Sequence, residues 1–291
     1  DTKLHRGYIE QILTQSEYQD FTRLYRFSSM KQRKFLDLYF KHYEVEVIKK
    51  LLRHMLGGRE GQTDLSMFQG FFEKHSELDL ETLCRAKNFS EFTEALEGTV
   101  YGKLLSQMQE KGQTGLFDCE LKLDLFYFQL LWKLRNKLLS KTERKILDDC
   151  FGSRLDLLNI QWICRARSFY RLSQAEIYAL LIPVHYRLRA DKVKLLVEAE
   201  DDAKFFAVLR ETPYGKQEEL QTGQMPDIQL LSNQMLNRIY GKTGHRYPHS
   251  PAVLDSYLYR KELEMRKIVT ALEGIRYGLP ASEIMGLLAK Q

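Results

Sequence analysis

Four cysteines, seven histidines and a few closely spaced carboxylates are the residues of this chain with the right types for chemistry. The cysteines are Cys84, Cys119, Cys150 and Cys164, and even the nearest two, Cys150 and Cys164, stand far apart in sequence. Zinc sites draw ligands in close pairs, and no such pair occurs, so reduced, buried thiols are expected. The histidines are His5, His42, His54, His75, His185, His245 and His249. Only His245 and His249 stand four apart, and Pro248 between them argues against one helix presenting both. No metal or cofactor site is expected. Gly241-Lys242-Thr243 has the end of a phosphate-binding loop, but the opening Gly is replaced by Leu236 and no strand leads in. A polar turn after a helix ending near Tyr240 is expected there, with 241–251 as a surface loop. Glu262 and Glu264 point in different directions on a helix and make no carboxylate dyad. Neither Gly-x-Ser-x-Gly nor His-Glu-x-x-His occurs. The chain is therefore not expected to be an enzyme.

One charged cluster stands out. Arg165, Arg167 and Arg171 are followed by Arg187, Arg189, Lys192 and Lys194, with Trp162, Phe169, Tyr170 and Tyr186 among them. Cations at a helix C-terminus complement its dipole, and they also suit an acidic protein partner. Phosphate contacts with stacking would use the same mix. The net charge of +5, from 44 Lys+Arg against 39 Asp+Glu, is too small and too spread out to demand a nucleic acid.

These side chains must be positioned by helices. The first of six prolines is Pro183, so the whole stretch before it, rich in Leu, Lys, Glu and Arg, runs without this helix breaker. β-branched residues are sparse and alternating runs are rare, which makes the fold class all-α. At 291 residues the chain exceeds what one core of roughly 250–300 residues comfortably organises. The mean hydropathy of −0.41 and the absence of an apolar stretch near the ~20 residues a bilayer needs argue against a membrane span. No basic segment followed by an apolar core opens the sequence, so no secretory leader is expected.

The chain also resembles itself. Glu44, Asp156 and Glu264 head three segments whose next residues are Val45, Leu157 and Met265. Ile48, Ile160 and Ile268 form a further column, and Leu52, Cys164 and Leu272 another. These apolar columns fall on one helix face. The spacing from Glu44 to Asp156 nearly equals that from Asp156 to Glu264. Independently, Thr99, Tyr101, Gly102 and Lys103 match Thr212, Tyr214, Gly215 and Lys216, and Leu172–Ile177 matches Leu279–Ile284, both at closely similar offsets. A carboxylate that recurs with the repeat argues for structure over a single catalytic site. Gly152-Ser153 is expected to precede a helix, with Ser153 as its cap and Asp156 completing a capping box; Ser173 with Glu176 repeats that spacing, and Gly57-Gly58 suits the end of a helix. Linkers are expected near Gly112–Gly115 and from Gly215 to Pro226. Three helical repeats result, at 1–112, 113–222 and 223–291, the third interrupted or completed by the N-terminal segment. Ile48, Asp156, Asn159, Ile160, Glu264 and Ile268 are their expected structural cores.

The ordered combination of Asp156-Leu157-Leu158-Asn159-Ile160, Arg165, Leu172-Ser173 and Leu181-Ile182-Pro183 resembles the C-subunit family of V-type and A-type rotary ATPases, whose eukaryotic member is the d-subunit. Lys261-Glu262-Leu263-Glu264-Met265-Arg266, Ile268, Gly274, Gly278-Leu279 and, near the start, Thr2-Lys3 and Ile12–Tyr18 extend the likeness along the chain. The Asn of the repeat helix is kept only as Asn159, with Val47 and Lys267 in its column. The resemblance implies three similar helical domains in a funnel around a pseudo-threefold axis. It implies a non-catalytic rotor component of the central stalk, peripheral on the cytoplasmic side of the membrane. Its partners would be the proteolipid ring and the D and F subunits of the shaft, coupling ATP hydrolysis or synthesis to H+ or Na+ transport. No cofactor and no nucleic acid is implied. Arg165, Arg167 and Arg171 are the expected partner-binding residues. A general helical adaptor for soluble partners would share every compositional feature.

Overall fold

The computed structural model describes residues 6–57, 66–216 and 227–289. Among these residues every regular element is helical, so the fold is all-α. The chain divides into two compact units, Asp1–Leu138 and Leu139–Gln291.

The first unit holds α1 (Arg6–Phe27), α2 (Met30–Leu56), α3 (Ser66–His75), α4 (Leu80–Arg85), α5 (Phe89–Ala95), α6 (Gly102–Glu110) and α7 (Leu116–Leu138). A capping box starts α2: the Gln32 amide reaches the Ser29 hydroxyl, while the Ser29 amide donates to Gln32 Oε1 at 2.9 Å. Gly57 ends it, its amide returning to the Arg53 carbonyl. The long helix packs chiefly on α7. Lys49 Nζ bridges Glu46 and Asp124 at 2.9 Å each, and Arg53 pairs with Glu120, so charged groups fix the register of the two helices. The other face of α2 joins α1 and α3 in an aromatic cluster, where Phe21 meets Phe40, Tyr43 and Phe71 edge-on or tilted, and Tyr18 stacks on Phe71 at 4.6 Å. Such pairs add about 0.5–1.5 kcal/mol each beyond the area they bury.

The second unit holds α8 (Lys141–Ser168), α9 (Gln174–Leu180), α10 (Ala190–Val197), α11 (Asp202–Arg210), a 3-10 turn (Pro213–Gly215), α12 (Ile228–Arg246), α13 (Ala252–Arg276) and α14 (Ala281–Ala289). Here α8 is the central beam. Leu157, Ile160 and Ile163 on it are buried with Phe205, Leu209, Tyr214, Leu231 and Leu236.

Two expectations are corrected. The Gly152-Ser153 pair does not precede a helix; α8 begins three turns earlier, at a box formed by Ser140 and Glu143, and runs straight through. Ser153 is fully buried within it. Gly152 is there because Tyr186 crosses the helix at that point, where a Cβ would stand 2.2 Å from the ring. Likewise Gly241-Lys242-Thr243 is no turn. α12 continues to Arg246, because Gly244 lets it lie close against Ser256 of α13, and tertiary packing overrides the weak helix propensity of glycine. The connection shrinks to 247–251. The Gly112 turn and the Ser173–Glu176 box stand where expected. Gly58, Thr2-Lys3 and most of the Gly215–Pro226 linker lie outside the described residues.

Candidate functional site

The column carboxylates Glu44 and Asp156 are both buried, at 1% and 0% exposure, which is costly unless each is fully hydrogen-bonded. Each meets a tyrosine. Tyr101 Oη donates to Glu44 Oε2 at 2.8 Å, and Tyr214 Oη donates to Asp156 Oδ2 at 2.7 Å. These are the tyrosines of the two Thr-x-Tyr-Gly elements, whose local geometry is duplicated. The Thr99 and Thr212 hydroxyls each donate to the carbonyl three residues back at 2.7 Å, and each accepts the tyrosine amide at 3.2 Å. Both glycines are compulsory: a Cβ on Gly102 would stand 2.4 Å from the Leu96 carbonyl, and one on Gly215 2.3 Å from Arg210 Cα. The first carboxylate adds the Lys41 ammonium and the Ser76 hydroxyl. The shorter Asp156 instead collects the backbone amides of Tyr186, Arg187 and Leu188. Burial pushes the Asp156 carboxyl above its usual range, against the pull of these donors. Beside it, Asn159 both donates to and accepts from the Ile182 backbone at 2.9 Å, pinning the same 181–189 segment.

Of the expected core residues, Ile48, Asp156, Asn159 and Ile160 are buried. The third copy differs. Glu264 is 56% exposed and pairs with Lys261, and Ile268 is 36% exposed. α13 packs on α12, α14 and α8, and this packing leaves its Glu264 and Ile268 columns open to water where those of α2 and α8 are covered. The buried acid of α13 is Asp255, one turn into the helix, which no repeat column marks. It faces Cys150, Tyr240, Arg154 and Glu262. Its carboxyl is pushed up to about 8, first by burial, with Glu262 adding to the rise and Arg154 opposing it. Arg154 itself binds Glu262 at 2.8 Å. Among the described residues, Asp255 Oδ2 and Tyr240 Oη have no hydrogen-bond partner.

The arginine cluster is not one uniform face. Arg167 is turned inward: its guanidinium caps the Ala199 and Asp201 carbonyls and lies over the Phe205 ring. Arg165 extends to Gln229 at 2.5 Å. Arg171 sits in the turn that closes α8, with φ at +51°, while the Leu172 amide reaches back to the Ala166 carbonyl. That is the bond pattern of a glycine-type helix stop, made here with an arginine. Before it, Phe169 and Tyr170 are 78% and 73% exposed.

The cysteines are free; Cys119, Cys150 and Cys164 are buried and Cys84 half-buried. Burial raises each thiol above its usual range, Cys119 to about 11, which makes them poor nucleophiles. Among the described residues no group of three or more His, Cys, Asp or Glu could hold a metal ion, and no helix is long and apolar enough to cross a membrane.

Residues 1–287 match the family model of the ATP synthase (C/AC39) subunit. The chain is 27% identical over 258 residues to the A-type ATP synthase C-subunit of Methanothermobacter thermautotrophicus, covering 86% of this chain and 66% of that protein. Its likeness to the corresponding A-type ATP synthase protein of Methanosphaera stadtmanae is 23%, covering 96% and 74%, and to that of Pyrococcus horikoshii 30%, covering 65% and 51%. The chain thus spans between about half and three quarters of the length of these relatives. With the duplicated helical frames and the match along nearly the whole sequence, the chain belongs to the ATP synthase (C/AC39) subunit family.

Proposed function

We propose that the protein is a non-catalytic rotor part of a V-type or A-type ATPase, a socket that joins the shaft, made of the D and F subunits, to the proteolipid ring. In this reading it is peripheral on the cytoplasmic side of the membrane and serves ATP-linked H+ or Na+ transport. The three repeats at 1–112, 113–222 and 223–291 stand around a pseudo-threefold axis, the third interrupted or completed by the N-terminal segment. The observation that carries the reading is the pair of buried tyrosine–carboxylate latches. A part that passes torque has to resist shear, and a buried, charge-assisted hydrogen bond between distant segments resists it in a directional way that apolar packing alone does not.

Assembly contacts fall to arginines that the fold leaves outward. With Arg167 committed to backbone carbonyls, Arg165 and Arg171 meet an acidic face of a partner subunit. The deciding experiment is deletion in the native host followed by assay of membrane vesicles. Loss of ATP-driven ion pumping, with the soluble ATPase sector still hydrolysing, supports the role. Intact pumping without the protein would defeat it.

A further inference from the structure

The outer face of α12 carries charge of one sign. The helix contains no Asp or Glu, although 39 such residues in a chain of 291 would put about two or three in its 19 positions. Arg238, Lys242 and Arg246 stand four apart on it, and all three are exposed. They form a row two turns long, roughly 12 Å. A fourth cation joins from the neighbouring helix. Arg260, in the middle of α13, brings its guanidinium to where a side chain at position 241 would stand, 3.8 Å from a Cβ built there. Gly241 thus makes room for a charge beside the row.

Folding does not call for this arrangement. Like charges four apart destabilise a helix. Arg246, in the last turn, is favoured by the helix dipole, but that term fades within one turn and does not reach Lys242 or Arg260. Lys242 and Arg260 have no carboxylate partner among the described residues. The nearer acids of α13 are engaged elsewhere: Glu262 with Arg154, Glu264 with Lys261, and Asp255 in the interior.

We propose that this face docks an acidic helix of another protein chain, with carboxylates at four-residue steps opposite the row. Charge complementarity sets the sign of the occupant. The row sets its form, because a partner helix repeats its side chains at the same four-residue step and arginine forks pair with carboxylates bidentately. A lipid surface fits less well. α12 exposes no large apolar side chain to insert, and beside it Val253 and Tyr257 of α13 are only 37% and 38% exposed. Nucleic acid fits less well too, since α12 presents no open ring for stacking and the net charge is only +5. The face needs neither the rotor role nor the contacts of Arg165 and Arg171.

The test treats freshly broken host cells, membranes included, with a carbodiimide, which joins a lysine amine directly to a carboxylate touching it. The full chain is then isolated for peptide mass spectrometry. Lys242 should be joined to an Asp or Glu of another chain, in a peptide whose acids stand four apart. The link should vanish in Lys242→Arg, which keeps the charge but not the amine. Its yield should fall several-fold in Arg246→Gln with Arg260→Gln, which keeps the amine but not the row. Thermal melts check that the variants fold, and the wild-type link is read without them. A Lys242 that stays unlinked, or joins only acids of its own chain, overturns the face. An unchanged yield in the double variant overturns the row. If the link is missing while the purified chain binds phosphatidylglycerol vesicles or duplex DNA through these cations, the face belongs to that surface and the acidic helix is wrong.

Discussion

Tyr214 Oη lies 2.7 Å from Asp156 Oδ2, closing a buried bond between residues 58 apart, and it has a counterpart between Tyr101 and Glu44, which stand 57 apart. Removing the phenol alone isolates its contribution. Tyr214→Phe leaves Asp156 with its three backbone donors and should cost about 1.5–3 kcal/mol, the range for a hydrogen bond to a charged group. Asp156→Ala strands those three amides and should cost more. Urea unfolding with m-values checks both; a Tyr214→Phe variant as stable as the wild type would sink the latch.

The glycines divide into two classes that substitution separates. Gly102→Ala and Gly215→Ala drive a Cβ to within 2.4 Å of backbone and should destabilise strongly. Gly241→Ala meets only the far end of Arg260 at 3.8 Å inside a helix, so it should stabilise by up to about 1 kcal/mol. A destabilised Gly241→Ala in a thermal melt would contradict the continuous α12.

Asp255 predicts a pH dependence of definite sign. Its folded value of about 8 lies above its ordinary 3.8, so the folded state holds the proton that the unfolded chain releases. Its contribution is full below the ordinary value of 3.8 and is lost progressively up to about 8. The Asp255→Asn variant should remove that slope. Chemical denaturation of the two proteins across the neutral range measures it; parallel curves would show that Asp255 titrates normally.

The inner and outer arginines at the end of α8 should behave oppositely. Arg167→Ala strips caps from two carbonyls and a ring contact, and should destabilise by about 1–3 kcal/mol. Arg171→Gly relieves a left-handed side chain and should stabilise by about 1 kcal/mol. Differential scanning of both variants is sufficient; the same sign for both would contradict this arrangement.

The helical class, the Ser173–Glu176 box and the two matched frames were legible in the sequence because each rests on local spacing, whereas Ser153 had the spacing of a cap and lies buried inside α8. The two ends of each latch were also visible, as separate matches. What linked them was the nearly constant separation, 57 in one latch and 58 in the other, a signal that emerges only when both matches are laid on one chain. Burial was harder to read. Glu264 and Ile268 share the columns of Asp156 and Ile160, yet exposure depends on which helices arrive later to cover them. Asp255 has no repeat counterpart among the column acids, so no pattern marked it. The glycines at 152 and 241 misled for a single reason: a glycine inside a continuous helix has the same letter as one that ends it.

The short span of each latch has a consequence for how the protein is made. Every hydrogen bond of the Glu44 joint closes between Lys41 and Tyr101, and every one of the Asp156 joint between Asp156 and Tyr214. Each joint can close before the chain beyond its tyrosine is made, so the order of synthesis becomes the order of folding. The first frame can be complete on the ribosome while the second is still being translated.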